Sequence, residues 1–480
     1  MHFRTFSNPT VRRLSGLDAG FFSLETAEQP MQCIAIGVLR GNISGPLSLQ
    51  DLRRHLTARL GALPAFRWRV LAVPFGLAQP VFVPDARFDL DDHLFCAVLP
   101  EPGGPAELDA ACAQLASQRL DRDRPLWRMT LVDGLADGRQ ALVLEIHHAL
   151  MDGVAIRTTL TRIFAPVQPA VSQPSGRSSR MPTSRQLVAS GLAHDARTLT
   201  RLPDLIGRAR RARVTVRRRQ TEAAVAVPKG GVDTPTMNYG FTSERRFARA
   251  ALPLETVRAV KDAAGVTVND VALALVGGAL RGCLAARGAL PDRPLIAFVP
   301  VGMAEPQATS RAEGNRFAWL TTSLGTDVAD PWERLQRVSA VTAEAKVCLD
   351  LAGRELMTDW IECFPPTLIA PLVRRAQKAR RRPGKRRGRI GENVVVSNLR
   401  GPAAPWQLGS AVVEEMYLAA PPNGDKGVTF ALWDYAGQLL FGILAFADLI
   451  DDPRELAVGL SRSLEELLTA AGKAPALRRV

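Results

Sequence analysis

Along the first 165 residues the apolar positions switch between a period of roughly 3.6 and a period of roughly 2, the spacings that place side chains on one face of a helix or of a strand. Leu49, Leu52, Leu56 and Leu60 share a helical face behind Ser48, whose hydroxyl suits an N-cap, and Gly61 supplies a stop. Strand patterns follow at 66–71, 129–132 and 141–146, with a helix at 106–120 between the first two. The strand at 141–146 leads at once into another helical stripe, formed by Ile156, Leu160, Ile163 and Phe164.

The second half shows the same mixture. A helix runs from Pro253 to a stop at Gly265, and a longer one starts at Asn269, where Val271, Leu275 and neighbouring small residues suit close packing. A strand is predicted at 295–301. Asp330, Pro331 and Glu333 have the order of an N-cap, a first-turn proline and a third-position acid, and Asp452, Pro453 and Glu455 repeat it. Strands at 393–397 and 412–418 precede a hairpin that turns at Ala436 and Gly437. Between the halves, 166–234 starts poor in large apolar residues and continues into the basic RARRARVTVRRRQ, which reads as a crossover linker. No internal repeat of solenoid length is present. The expected fold class is α/β, with mixed sheets and helices in domains at 1–165 and 235–480 joined by a basic linker at 166–234.

With 480 residues, 46% of them hydrophobic and 22% charged, the chain is long enough for two cores and too apolar for a disordered protein. Its cysteines, Cys33, Cys96, Cys112, Cys283, Cys348 and Cys363, are scattered and form no CxxC pair or zinc spacing, which fits a reducing compartment. The N-terminal MHFRTFSNPTVRR has no apolar signal core, and no apolar run approaches the roughly 20 residues of a spanning helix. A cytoplasmic protein is expected. The net charge of +14 then turns attention to polyanions. An apolar, proline-interrupted segment, WIECFPPTLIAPLV, stands directly before ten Lys and Arg at 374–389, and a further basic run lies at 208–219. That pairing suits peripheral attachment to an anionic membrane or lipid-inclusion surface. Aromatic residues amount to 6% and do not interleave with the basic runs, so a nucleic-acid partner is not expected.

The segment ALVLEIHHALMDGVAIRTTL carries the chemistry. Its strand delivers His147 and His148 to a sheet edge, and Asp152 and Gly153 open the helix behind them. Consecutive strand residues point to opposite faces, so only one of the two imidazoles can enter a given cavity. A neutral imidazole titrates near the working pH and is the usual base for a hydroxyl proton. An adjacent histidine pair alone carries little weight, and Asp152 alone reads as an N-cap. Metal binding is disfavoured, because adjacent histidines diverge and only Asp152 lies near enough to be a third ligand.

The full spacing His-His-x-x-x-Asp-Gly between strand and helix resembles the signature of the CoA-dependent acyltransferase superfamily, which includes chloramphenicol acetyltransferase and peptide-synthetase condensation domains. LSGLDAGFF at 14–22, PLW at 125–127, TVNDVALALVGGALR at 267–281, GNRFAWLTTSLGTDVADPWERL at 314–335 and VVSNLRGP at 395–402 resemble the wax ester synthase/diacylglycerol acyltransferase group, in order, over nearly the whole chain. The resemblance implies two chloramphenicol-acetyltransferase-like domains with a tunnel between them in which acyl donor and acceptor meet. It implies an O-acyltransferase that moves a long acyl chain from acyl-CoA to diacylglycerol or a fatty alcohol, with acyl-CoA as a substrate and no cofactor. By position in the motif, His148 corresponds to the general base, Asp152 to a structural aspartate, and His147 and Gly153 to supports of the loop. Asn269 lies in the family's Asn-Asp motif at a helix start, where the dipole favours negative charge; it is the candidate oxyanion donor, with a plain N-cap as the alternative. FVPVGMAEPQ at 298–307 departs from the polar, arginine-containing stretch common in the family, and the DFGWG element of other branches is missing. Two further readings share these residues: a condensation-type enzyme fed by a carrier protein, and a catalytically silent lipid-surface protein.

Overall fold

The computed structural model describes residues 11–41, 45–164, 181–234, 236–303, 313–368, 370–372, 375, 391–424 and 426–473. Two six-stranded mixed sheets dominate it. The first has the strand order Gln407–Leu408, Ala411–Ala419, Gln32–Arg40, Gln140–His147, Trp127–Asp133, Leu94–Val98. The second runs Phe317–Ser323, Ile296–Gly302, Val394–Arg400, Val428–Tyr435, Gln438–Phe446, Arg245–Pro253. A small sheet of Arg12–Arg13, Val81–Pro84 and Trp68–Leu71 flanks the first.

Both central strands of the first sheet are near-continuous apolar runs and are buried along their length, as strands covered on both faces must be. In the second sheet the alternation is visible. Val394, Val396, Ala297 and Val299 face a helical layer made by Leu254–Ala264, Val268–Ala286, Pro331–Ala352 and Arg454–Lys473, while Val395, Ser397 and Leu399 face the first sheet. Val268–Ala286 is, among the described residues, the one helix long and apolar enough to cross a membrane, but Val271, Leu273, Leu275, Leu280 and Leu284 are buried in that layer.

Local signals place many boundaries. Ser48 and Asp51 close a capping box on Leu49–Thr57, Gly265 ends its helix at φ 68°, and Asp330 caps Pro331–Ala352. Ala436 and Gly437, at φ 47° and 81°, make the two-residue turn between Val428–Tyr435 and Gln438–Phe446. The expected linker needs correction. Within it lie two helices, Ser184–Leu199 and Leu202–Glu222, because arginine is a good helix former and Leu187, Leu205 and Ala212 give each helix a face to bury. The second helix is tied down by Arg208 to Asp359 and by Arg219 to Glu344.

The domain boundary at 235 is corrected as well. Ala411–Ala419 leaves the second half and pairs antiparallel with Gln32–Arg40, completing the first sheet. Gly442 permits the crossing: a Cβ there would lie 2.0 Å from the Leu418 carbonyl oxygen. The basic run at 374–389 lies outside the described residues, Arg375 excepted.

Candidate active site

Strand Gln140–His147 ends against a turn that feeds helix Gly153–Phe164, and His148 is the first residue past the strand. Its N–H donates to the Met31 carbonyl at 2.7 Å, so the main chain is fixed by the neighbouring strand. The imidazole stacks on Phe21, with ring centroids 3.9 Å apart and planes 10° from parallel. It opens into a cavity between the two sheets, whose walls include Cys33, Ala35, Ile146, Ile156, Ser397 and Leu399. Nδ1 is buried, which leaves Nε2 as the nitrogen able to meet a substrate. Burial lowers the ring's pKa to about 4, against the opposing pull of a hydrogen bond to its own backbone, the charge of Asp152 and a hydrogen bond with Asn315. His148 is thus neutral near pH 7 and able to accept a proton.

His147 points the other way and is fully buried. Its ring stacks on Phe22 at 4.6 Å, and its Nδ1 accepts from the Ala149 N–H at 3.1 Å. The proton therefore sits on Nε2, which faces Glu25 Oε1 at 3.4 Å. Arg122 Nε donates to the other Glu25 oxygen at 2.8 Å, and Arg119 approaches it at 3.4 Å. Burial alone would raise the Glu25 pKa, but the hydrogen bond from His147 and the Arg122 guanidinium bring it down to about 2. Burial depresses the basicity of His147, opposed by Glu25. The PLW motif joins this support: the Leu126 carbonyl accepts the His147 N–H at 3.0 Å, and Trp127 Nε1 donates to the Phe66 carbonyl at 2.8 Å.

Asp152 stands behind the loop. Its Oδ1 accepts from Ala155 N at 3.0 Å, capping the helix, and its Oδ2 accepts from Arg316 N at 2.8 Å, holding a segment from the second half. Beside it, Asn315 donates through Nδ2 to the His148 carbonyl and to Asp18 Oδ1, both at 2.8 Å, and its main-chain N–H donates to the same Asp18 oxygen at 2.7 Å. A carboxylate from LSGLDAGFF and an amide from GNRF thus brace the turn from both halves. At Gly153 a Cβ would come within 2.8 Å of the Leu399 side-chain methyls, which would have to shift.

Asn269 is not among the residues that line this cavity. It sits in the first turn of Val268–Ala286, whose N-cap is Thr267, with Asp270 closing the capping box. Its Oδ1 accepts from Asn398 Nδ2 at 3.4 Å, and Asn398 lies on the opposite face of its strand from Ser397 and Leu399, which line the cavity. A hydroxyl that lines the same cavity as the imidazole is that of Ser397, which the sequence did not single out. Cys33 also lines the cavity, but burial, reinforced by Asp152, pushes its thiol up to about 12, so it is no thiolate. Among the described residues no group of three His, Cys, Asp or Glu is placed to hold a metal.

Residues 14–272 match the wax ester synthase/diacylglycerol acyltransferase catalytic domain, and 313–468 match the C-terminal domain of the same family. The chain belongs to the wax ester synthase/diacylglycerol acyltransferase family. It is an acyltransferase of that family. A Mycobacterium tuberculosis H37Rv protein whose name provisionally assigns it as a diacylglycerol O-acyltransferase is 32% identical over 468 residues, 96% of this chain and 97% of the relative. The structure of the wax ester synthase/diacylglycerol acyltransferase from Marinobacter aquaeolei VT8 has a TM-score of 0.67 at 27% identity, covering 96% of this chain and 100% of that one. The first condensation domain of the CDA synthetase, at 16% identity and a TM-score of 0.58, covers 98% of each chain and shares the fold. The two-domain mixed α/β architecture expected from the sequence is therefore the one observed.

Proposed function

We propose that this enzyme transfers a long acyl chain from acyl-CoA to the hydroxyl of diacylglycerol or of a long-chain alcohol, with His148 as the base. The observation that carries this reading is the placement of His148: a neutral imidazole at the wall of an apolar cavity, gripped by both halves of the molecule. The alcohol O–H gives its proton to His148 Nε2 as its oxygen attacks the thioester carbonyl. The C–S bond then breaks, and the departing thiolate takes the proton back, so ester and free CoA form without an acyl-enzyme. The protonated Cys33 supports direct transfer, since a neutral thiol is a poor nucleophile. The developing oxyanion needs a donor, and the Ser397 hydroxyl, on the wall facing His148, takes the role that the sequence suggested for Asn269. The reaction balances with acyl-CoA as a substrate and needs no further cofactor.

The test is purified enzyme with palmitoyl-CoA and either hexadecanol or dipalmitoylglycerol, with ester and free CoA both measured. Ester formed without any carrier protein separates this reading from the condensation-type one. His148→Ala should lower the rate by about 10³-fold or more; a variant as active as the parent removes the mechanism.

The enzyme meets these lipids at an interface, peripherally attached to the inner face of the membrane or to lipid inclusions. On helix Leu202–Glu222, Arg210, Arg211 and Arg213 are exposed beside Val214, which is 68% accessible, and Leu368 and Leu372 are exposed on a neighbouring part of the chain. Reversing the three arginine charges should weaken cosedimentation with phosphatidylglycerol vesicles several-fold at low salt and less at high salt. Equal binding by the variant at every salt concentration rejects attachment through this face.

A further inference from the structure

The side of the second sheet that faces His148 is not uniformly covered. Over Val428–Tyr435 it meets the crossing strand Ala411–Ala419 and is buried. Over Val394–Arg400, Ile296–Gly302 and Phe317–Ser323 its residues are only half-buried. The register fixes which ones they are. Val395 shares the face of Ser397 and Leu399 and pairs with Phe298, while Pro300 pairs with Trp319 and Gly302 with Phe317. The rings adjoin: Phe298 and Trp319 stack at 5.6 Å, and Phe317 tilts against Trp319 at 6.4 Å. At the far end Lys426 Nζ stands 5.3 Å over the Phe298 ring and pairs with Glu392 at 3.2 Å, and Thr321 donates to Glu392 at 3.0 Å, so the charge beside the floor is paired. Near the histidine the same floor comes against the start of helix Gly153–Phe164, where a Cβ on Gly302 would lie 3.4 Å from Val154.

We infer that this aromatic floor of Val395, Phe298, Trp319 and Phe317 is the seat of a long alkyl chain of the lipid substrate, running outward from the cavity at His148. The inference rests on the acyl-transfer reading and extends it to the residues that measure chain length. Its argument is continuity: Ser397 and Leu399 line the reaction cavity, and the next residue on the same face of their strand, Val395, begins the floor. Half-exposed aromatic rings in a groove whose charges are paired hold hydrocarbon, and each methylene they cover is worth about fourfold in binding.

The test compares chain-length selectivity. Trp319→Ala and Phe298→Ala should each lower the ratio of kcat/KM for palmitoyl-CoA over butyryl-CoA, or for hexadecanol over butanol, by at least tenfold. Val395→Trp, which fills the floor, should shift the preference toward shorter chains. The two substrate series show whether the acyl or the alcohol chain lies there, and a fall in either supports the inference. Phe95→Ala, on the outer edge strand Leu94–Val98, is the control that should leave both ratios unmoved. Ratios unchanged in all three floor variants, with melting temperatures close to that of the parent, overturn it. Binding of cis-parinaric acid, read by its fluorescence, gives an answer independent of catalysis. Affinity at least tenfold weaker in Trp319→Ala supports the floor even if no ester is ever formed, and equal affinity rejects it.

Discussion

The two sheets contribute unlike things to one cavity. Around the first, polar groups are buried and paired: Glu25 with His147 and Arg122, and Arg128 with Glu145 at 2.6 Å. The second sheet offers the same cavity Ser397, Leu399 and Ala431, and beyond them aromatic rings. Buried polar groups act strongly because little solvent screens them, but each must be satisfied, and satisfying them fixes the geometry of whatever they touch. Hydrocarbon walls do the complementary work of excluding water. On the proposed reading, one half sets the base in place and the other holds what it acts on.

Ser397 is the exception on the apolar side, and replacing it is the sharpest way to break the comparison. Ser397→Ala should lower kcat by about 10²-fold or more, with KM for acyl-CoA nearly constant, if this hydroxyl meets the oxyanion. A change confined to KM would return Ser397 to the binding wall. Glu25→Gln comes next: it keeps the size of the side chain and removes the charge that fixes the tautomer of His147. A fall in kcat on the order of tenfold is expected, because His147 acts on catalysis through the position of its neighbour rather than directly. Unfolding by acid should change in the same variant. The Glu25 pKa lies near 2 in the folded enzyme, against about 4.3 in an unfolded chain, so its stabilisation is complete above that higher value and lost as pH falls toward 2. Glu25→Gln should lack this acid limb.

The smallest expected effect is an absence of slope. With the His148 pKa near 4, kcat/KM should stay nearly flat from pH 8 down to about 5 where an ordinary histidine would already have titrated. A midpoint near 6.5 would mean that the ring is far better solvated than the geometry indicates. The same depression bears on stability, since an unfolded chain takes up the proton first. Folding free energy tied to His148 is present above about pH 6.5 and is lost as pH falls toward 4.

Much of this was legible along the chain because it is local. The strand that ends at His147, just before His148, the Asp152 cap, the Gly265 stop and the Ala436–Gly437 turn each depend on residues a few places apart. What escaped is long-range. Glu25 lies three residues past the LSGLDAGFF segment, and nothing in its spacing announces a partner 122 positions away, at His147. Asn315 and Ser397 reach the site only once the second half folds over the first. Asn269 was singled out by its place at a helix start, and such an Asn looks alike whichever side of a sheet the helix covers. The arginine-rich stretch misled because charge density was taken for a linker, although Leu205 and Ala212 already supplied a stripe to bury.

The crossing strand Ala411–Ala419 bears on how such a chain is made. Until residue 419 has left the ribosome, Gln32–Arg40, apolar over nearly its whole length, has one side of its backbone without a partner. The nascent protein therefore carries a sticky β-edge through most of its synthesis, the kind of surface on which neighbouring chains aggregate. Producing the two halves as separate polypeptides would make that exposure permanent.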